Sequence, residues 1–232
     1  MRKRAGLLDS RRRRWLLHCS VLAALPWRGA VAAVPAQGKS NATPAAPTTL
    51  LVVGDSISAE YGLARGTGWV ALLNQRLARE NLPVTVVNAS ISGDTTSGGR
   101  TRLPTLLTQH RPNVVLIELG GNDALRGLPL AMTQANLLAM TQAAKAAGAR
   151  VMIAGMQVPP NYGRKYGNDF AALFASVARA EGTALLPFLL KGVADGPDAT
   201  ALFQPDRIHP NATAQPMLLD NVWPVLKPLL KR

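Results

Sequence analysis

From residue 49 onward, short apolar runs rich in branched residues alternate with longer amphipathic stretches. Leu50-Leu51-Val52-Val53 and Val114-Val115-Leu116-Ile117 lack the strict polar alternation of a half-exposed strand and read as strands covered on both faces. Strands are predicted at residues 49–54, 84–89, 114–119, 150–155 and 183–187, and helices at 68–80, 97–110, 130–147, 167–181 and 213–230. A strand-helix alternation without internal repeat argues an α/β fold, a parallel sheet with helices on both faces. Pro216, Pro224 and Pro228 fall in the final helical stretch, where a break or kink is expected.

The chemistry gathers where these strands end. The first stops at Gly54 and delivers Asp55-Ser56 to its carboxyl end, the edge at which open α/β sheets place ligands. Ser56 is a candidate nucleophile, but a serine hydroxyl needs a base, and the base an orienting group. The chain has three histidines. His18 lies in a segment expected to be removed, and His110 closes a helical pattern before Arg111-Pro112. His209 is left, three residues after Asp206, a carboxylate able to accept the Nδ1 proton and turn Nε2 toward the serine. Taken alone, Asp-x-x-His reads more readily as an aspartate capping a turn beside an exposed histidine.

Two further strand ends supply donors. Asn122, in Gly120-Gly121-Asn122-Asp123, and the backbone N–H of Gly93, in Ile91-Ser92-Gly93-Asp94, point to the edge that carries Ser56. With the N–H of Ser56 itself they make a three-donor oxyanion hole, each donor contributing roughly 3–4 kcal/mol to a tetrahedral transition state. Asp55 and Asp123 are read as structural acceptors of turn N–H groups. Ser56 is followed by Ile57-Ser58, so the Gly-x-Ser-x-Gly nucleophile elbow is absent.

These four segments, in this order, resemble the blocks of the SGNH (GDSL) hydrolases: Gly54-Asp55-Ser56, Gly93, Gly120-Gly121-Asn122-Asp123 and Asp206-Arg207-Ile208-His209. The resemblance spans residues 48–232. It is closest to the bacterial periplasmic thioesterase I and lysophospholipase L1 (arylesterase) branch, through Gly54 to Ala59, Leu119 to Pro129 and Pro160-Asn161-Tyr162-Gly163. Ile57, Glu60 and Ala124 depart from the usual residues, Glu60 bringing a charge near the site. The resemblance implies a flavodoxin-like three-layer α/β/α sandwich with a five-stranded parallel sheet. It also implies a catalytic triad of Ser56, His209 and Asp206, with Ser56, Gly93 and Asn122 as oxyanion donors. In the resembling enzymes the loops after the third block and the fourth strand border an acyl groove, which makes Leu125, Leu128, Pro129, Val158 and Pro159 candidate substrate contacts.

Charge changes the picture less than its size suggests. The net charge is +13, but residues 1–36 carry eight of the 26 basic residues against Asp9 alone. No interleaved aromatic and basic face accompanies the rest, which argues against nucleic acid. Residues 1–36 read as a cleaved signal peptide: a basic start through Arg14, an apolar stretch from Trp15 to Leu25 too short to span a bilayer, then Ala30-Val31-Ala32. Arg11-Arg12-Arg13-Arg14-Trp15 also resembles a twin-arginine signal, with Sec export the alternative. Cleavage is expected near Ala32 or Ala36, followed by a disordered linker at 37–47 and a hydrolase domain at 48–232, periplasmic or secreted. Cys19 is the only cysteine, so the processed chain would form no disulfide. No His, Cys and carboxylate cluster has ligand spacing, and neither metal nor cofactor is expected.

The sequence thus reads as a monomeric serine esterase acting on carboxylic esters and thioesters of small or lipid acyl groups, among them aryl esters, acyl-CoA and lysophospholipids. A carbohydrate O-acetylesterase on the same triad is the alternative. A silent lipid- or glycan-binding protein is disfavoured by the presence of Ser56, Asn122 and His209 together.

Overall fold

A computed structural model describes residues 47–196 and 199–231, all within one compact unit, Pro44–Arg232. The expected signal peptide, its cleavage site and nearly all of the linker lie outside the described residues.

The strands are β1 (Thr48–Gly54), β2 (Val84–Asn88), β3 (Val114–Glu118), β4 (Arg150–Ala154) and β5 (Ala184–Leu186). They form one parallel sheet in the order β2-β1-β3-β4-β5. The sheet reverses its winding between β1 and β3, the switch point where two neighbouring strand ends open a crevice. Val52 pairs with Leu116 and Gly54 with Glu118, so Ser56 and Asn122 emerge side by side from that crevice.

The helices are α1 (Trp69–Arg79), α2 (Thr96–His110), α3 (Gly121–Leu125), α4 (Leu130–Ala146), α5 (Arg164–Glu181) and α6 (Gln215–Leu230). Helix α1 packs with α6, while α4 packs with both α2 and α5, giving two helical layers around the sheet. Each layer exists because its helices carry an apolar stripe. Trp69, Val70, Leu73 and Leu77 face inward on α1, and Phe170, Leu173, Phe174 and Val177 on α5. Leu50, Leu51, Val52 and Val53 are wholly buried between the layers, each contributing about 1.5–3 kcal/mol.

Two expectations need correction. The last helix is not broken: α6 runs continuously through Pro224 and Pro228. Pro216 sits in its first turn, where no intrahelical N–H is required, and Pro224 and Pro228 lie on the exposed face, where water solvates the carbonyls they leave unpaired. The segment read as a loop after β3 contains α3, a helix too short to show a 3.6-residue period. His110 ends α2 as expected, with Arg111 in the left-handed conformation at the C-cap. Among the described residues no helix is long and apolar enough to cross a membrane.

Candidate active site

The turn after β1 permits only glycine at its start. A Cβ on Gly54 would lie 2.8 Å from each of Glu118 Oε2, Ser58 Cβ and Ser90 Oγ. Asp55 Oδ1 accepts the Ile57 N–H (3.0 Å), and the Asp55 carbonyl accepts the Ala59 N–H (3.0 Å), so the chain coils into one turn immediately after the strand. This turn presents Ser56 with its own N–H unspent among the described residues.

His209 approaches from the opposite end of the sequence. Its Nε2 lies 2.8 Å from Ser56 Oγ, and its Nδ1 lies 2.7 Å from Asp206 Oδ2. The other oxygen of Asp206 accepts the N–H groups of Ile208 (2.9 Å) and His209 (3.0 Å), closing the loop that carries both residues. Desolvation raises the Asp206 pKa, but the hydrogen bonds from His209 and Ile208 outweigh it and hold the carboxyl down at about 2. Asp206 is therefore a carboxylate at neutral pH and fixes the tautomer that leaves Nε2 as an acceptor for the serine proton.

The three expected oxyanion donors arrive from three different elements. Gly93 adopts φ +78° in the turn from Ile91 to Asp94, a conformation that strains any side-chain-bearing residue. Its carbonyl accepts Arg126 Nη2 at 2.6 Å, tying this turn to the end of α3. Asn122 lies in the first turn of α3, entered through Gly120 at φ +124°. Asn122 Nδ2 donates one hydrogen to Asp55 Oδ2 at 3.0 Å, leaving the second free for a substrate oxygen.

Asp55 therefore does more than close its turn. It is 2% exposed, and desolvation is the main cause that pushes its pKa up to about 6 despite the hydrogen bonds from Ile57 and Asn122. Glu118 lies wholly buried behind it; burial first, and then the charge of Asp55, push its pKa well up. Glu118 Oε2 accepts Ser58 Oγ–H (2.7 Å) and the Asp55 N–H (3.3 Å). Asp123 has the structural role expected of it, accepting the Thr96 N–H (2.9 Å) and the Thr133 hydroxyl (3.2 Å). The carboxylate of Glu60 is folded back on its own loop, where it accepts the N–H groups of Gly66 (3.0 Å) and Gly68 (2.8 Å).

The expected substrate contacts divide into two groups. Val158 and Pro159 line a cavity of about 510 Å³ together with Pro160, Gly163, Arg164 and Asn168. Leu125, Leu128 and Pro129 do not line it, nor do Ser56, Asn122 and His209. Leu125 is instead exposed beside Arg126, and Leu128 is half-buried. Sequence reasoning missed Tyr61, whose ring lies 4.4 Å from that of His209 at 40°. It also missed Arg126 and Glu118, and no periodicity marks any of the three. Among the described residues no group of three or more His, Cys, Asp or Glu is placed to hold a metal ion.

Residues 52–215 match the model of the GDSL-like lipase/acylhydrolase family. The chain belongs to this family. It is similar to the esterase TesA of Pseudomonas aeruginosa, with 56% identity over 186 residues, covering 80% of this chain and 91% of the relative. It is also similar to the thioesterase 1/protease 1/lysophospholipase L1 of Escherichia coli, with 44% identity over 186 residues, covering 80% and 86% of the two chains. Among solved structures, the esterase EstA from Pseudoalteromonas sp., inhibited by monoethylphosphonate, superposes with a TM-score of 0.74. It shares 38% identity and is covered over its full length by 80% of this chain. As a GDSL acylhydrolase, the protein is a carboxylic ester hydrolase with the parallel α/β sheet shared by these enzymes.

Proposed function

We propose that Ser56, His209 and Asp206 are the catalytic triad and that the enzyme works through an acyl-enzyme. His209 Nε2 takes the Ser56 proton as Oγ attacks the substrate carbonyl. The oxygen, now negative, is received by the N–H groups of Ser56 and Gly93 and by the free amide hydrogen of Asn122. Collapse of the tetrahedral species breaks the ester or thioester bond, and His209 gives its proton to the departing alcohol or thiol. Water then enters, gives a proton to His209 Nε2 and attacks the acyl carbon; the bond to Ser56 Oγ breaks, the acid leaves and the proton returns from His209 to Oγ. The observation that carries this reading is the 2.8 Å approach of His209 Nε2 to Ser56 Oγ, with Asp206 on the far nitrogen.

The substrates are aryl esters, acyl-CoA thioesters and lysophospholipids, a reading supported by similar enzymes, one named esterase and the other thioesterase and lysophospholipase. Val158 and Pro159, within their cavity, and Leu125, Leu128 and Pro129, outside it, would be the contacts of the acyl chain. The mature enzyme is a monomer exported to the periplasm or beyond, with residues 48–232 as its domain.

Ser56→Ala and His209→Ala should each abolish nearly all hydrolysis of p-nitrophenyl butyrate, and Asn122→Ala should lower kcat about a hundredfold. An alkyl phosphonate of the kind that inhibits EstA should add its phosphorus to Ser56, detected by peptide mass spectrometry. Wild-type turnover by purified Ser56→Ala would overturn the mechanism.

A further inference from the structure

The triad joins two loops 153 residues apart, and the sheet positions only one of them. Ser56 is held by β1, whereas His209 lies in an irregular segment before α6 with one isolated bridge, between Phe203 and Pro210. Contacts that link the two loops lie one residue further along. The Pro210 carbonyl accepts two side-chain amides, Gln204 Nε2 at 3.2 Å and Gln215 Nε2 at 3.3 Å. Both amides reach back to the serine side. Gln204 Nε2 also donates to the Tyr61 carbonyl at 2.8 Å, and the Tyr61 N–H donates to the Ser56 carbonyl at 3.2 Å. Gln215 Oε1 accepts the Trp69 N–H at 3.0 Å; Trp69 Nε1 donates to Ser58 Oγ at 3.2 Å, and Ser58 Oγ to Glu118 Oε2 at 2.7 Å.

We propose that Gln204 and Gln215 are positioning residues, two braces that meet on the Pro210 carbonyl and set the distance between His209 and Ser56. Glutamine suits the task because one amide donates and accepts at once. Gln215 uses both ends, accepting from Trp69 and donating to the Pro210 and Asn211 carbonyls, the latter at 3.2 Å. It is 1% exposed, so each of these bonds is made in a site with little water to replace it. The Gln204 backbone N–H donates to the His209 carbonyl at 2.8 Å, so the first brace grips both His209 and the residue after it. Close approach is built in on the serine side as well, since a Cβ on Gly62 would lie 2.0 Å from Gln204 Oε1.

The inference rests on the triad reading above, and the test separates the two. Gln204→Met, Gln215→Met and the double variant keep the length of the side chain and remove its polar end. Because both braces end on one acceptor, either alone should hold much of the geometry. Each single variant should lose roughly threefold in kcat and the double variant about a hundredfold, more than the product of the two, with KM for p-nitrophenyl butyrate unchanged. The rate of phosphonate addition to Ser56 should fall in step, since it needs the same proton transfer. A double variant within threefold of wild-type kcat, or one whose loss lies in KM or matches its unfolded fraction, would overturn the proposal. Should the double variant not fold, solvent exchange of the His209 Nδ1 proton in Gln204→Met decides by NMR: exchange severalfold faster at unchanged Tm supports the brace, and unchanged exchange overturns it. Failure of the triad reading would show instead as activity in Ser56→Ala.

Discussion

At the scale of single residues, the site depends on carboxyl groups with opposed environments. Asp206 is held ionised by the N–H groups of its own loop, whereas Asp55 is buried and its pKa is raised to about 6. A native-state carboxyl with a raised pKa favours the protonated form, so its contribution to stability is present below the unfolded value and is lost as pH rises through about 6. By the size of that shift, ionised Asp55 costs the fold on the order of 3 kcal/mol at neutral pH. Asp55→Asn should therefore raise Tm above pH 6 and leave it little changed near pH 4, while lowering kcat because Asn122 loses a charged acceptor. Thermal melts of both proteins from pH 4 to 8 check this, and parallel curves would refute the assignment. The sequence showed Asp55 beside the nucleophile but not its bond to Asn122, because the partners are 67 residues apart.

At the scale of elements, the loop between β1 and α1 shows how a departure from the family pattern is absorbed. Glu60 adopts φ +60°, a left-handed conformation that costs a side-chain-bearing residue about 1 kcal/mol or more. Its carboxylate recovers more than that through two charge-assisted bonds to the N–H groups of Gly66 and Gly68. Glu60→Gly should relieve the strain yet lower stability by about 1 kcal/mol net, and should speed hydrogen exchange at the Gly66 and Gly68 amides. Urea unfolding and exchange measured by NMR test the two parts separately. Helix α6 makes the complementary point about reading elements from a sequence. Three prolines argued for a break or kink; the helix does not break, with Pro216 in the first turn and the other two on the wet face, a placement visible only once the helix is docked.

For the whole molecule, the fold lies within the unit Pro44–Arg232, and the strand order brings the ends of β1 and β3 together. Since β1 starts only at Thr48, a chain lacking residues 1–36 should fold and hydrolyse p-nitrophenyl esters like the full-length protein, with kcat within twofold. N-terminal sequencing of material recovered from outside the cytoplasm should find a start close after Ala32 or Ala36. An unprocessed Met1 in active exported protein would refute the signal-peptide reading.

The local pattern along the chain was enough to specify the five strands, most helices and the parallel sheet, and to nominate the four segments of the candidate site, because burial on both faces and the turn chemistry at strand ends depend on near neighbours. Gly54, Ser56, Gly93 and Asn122 stood out at strand ends for that reason, whereas His209 emerged by elimination and Asp206 by its spacing from it. Whatever depends on distant partners was settled by the tertiary structure alone: the anchoring of Asn122 by Asp55, Tyr61 against the imidazole, Glu118 behind the serine turn, and the two glutamines meeting on Pro210. A hydrogen bond across 60 or 150 residues leaves no periodicity in the chain, since it forms only after packing has brought its donor and acceptor within about 3 Å of each other.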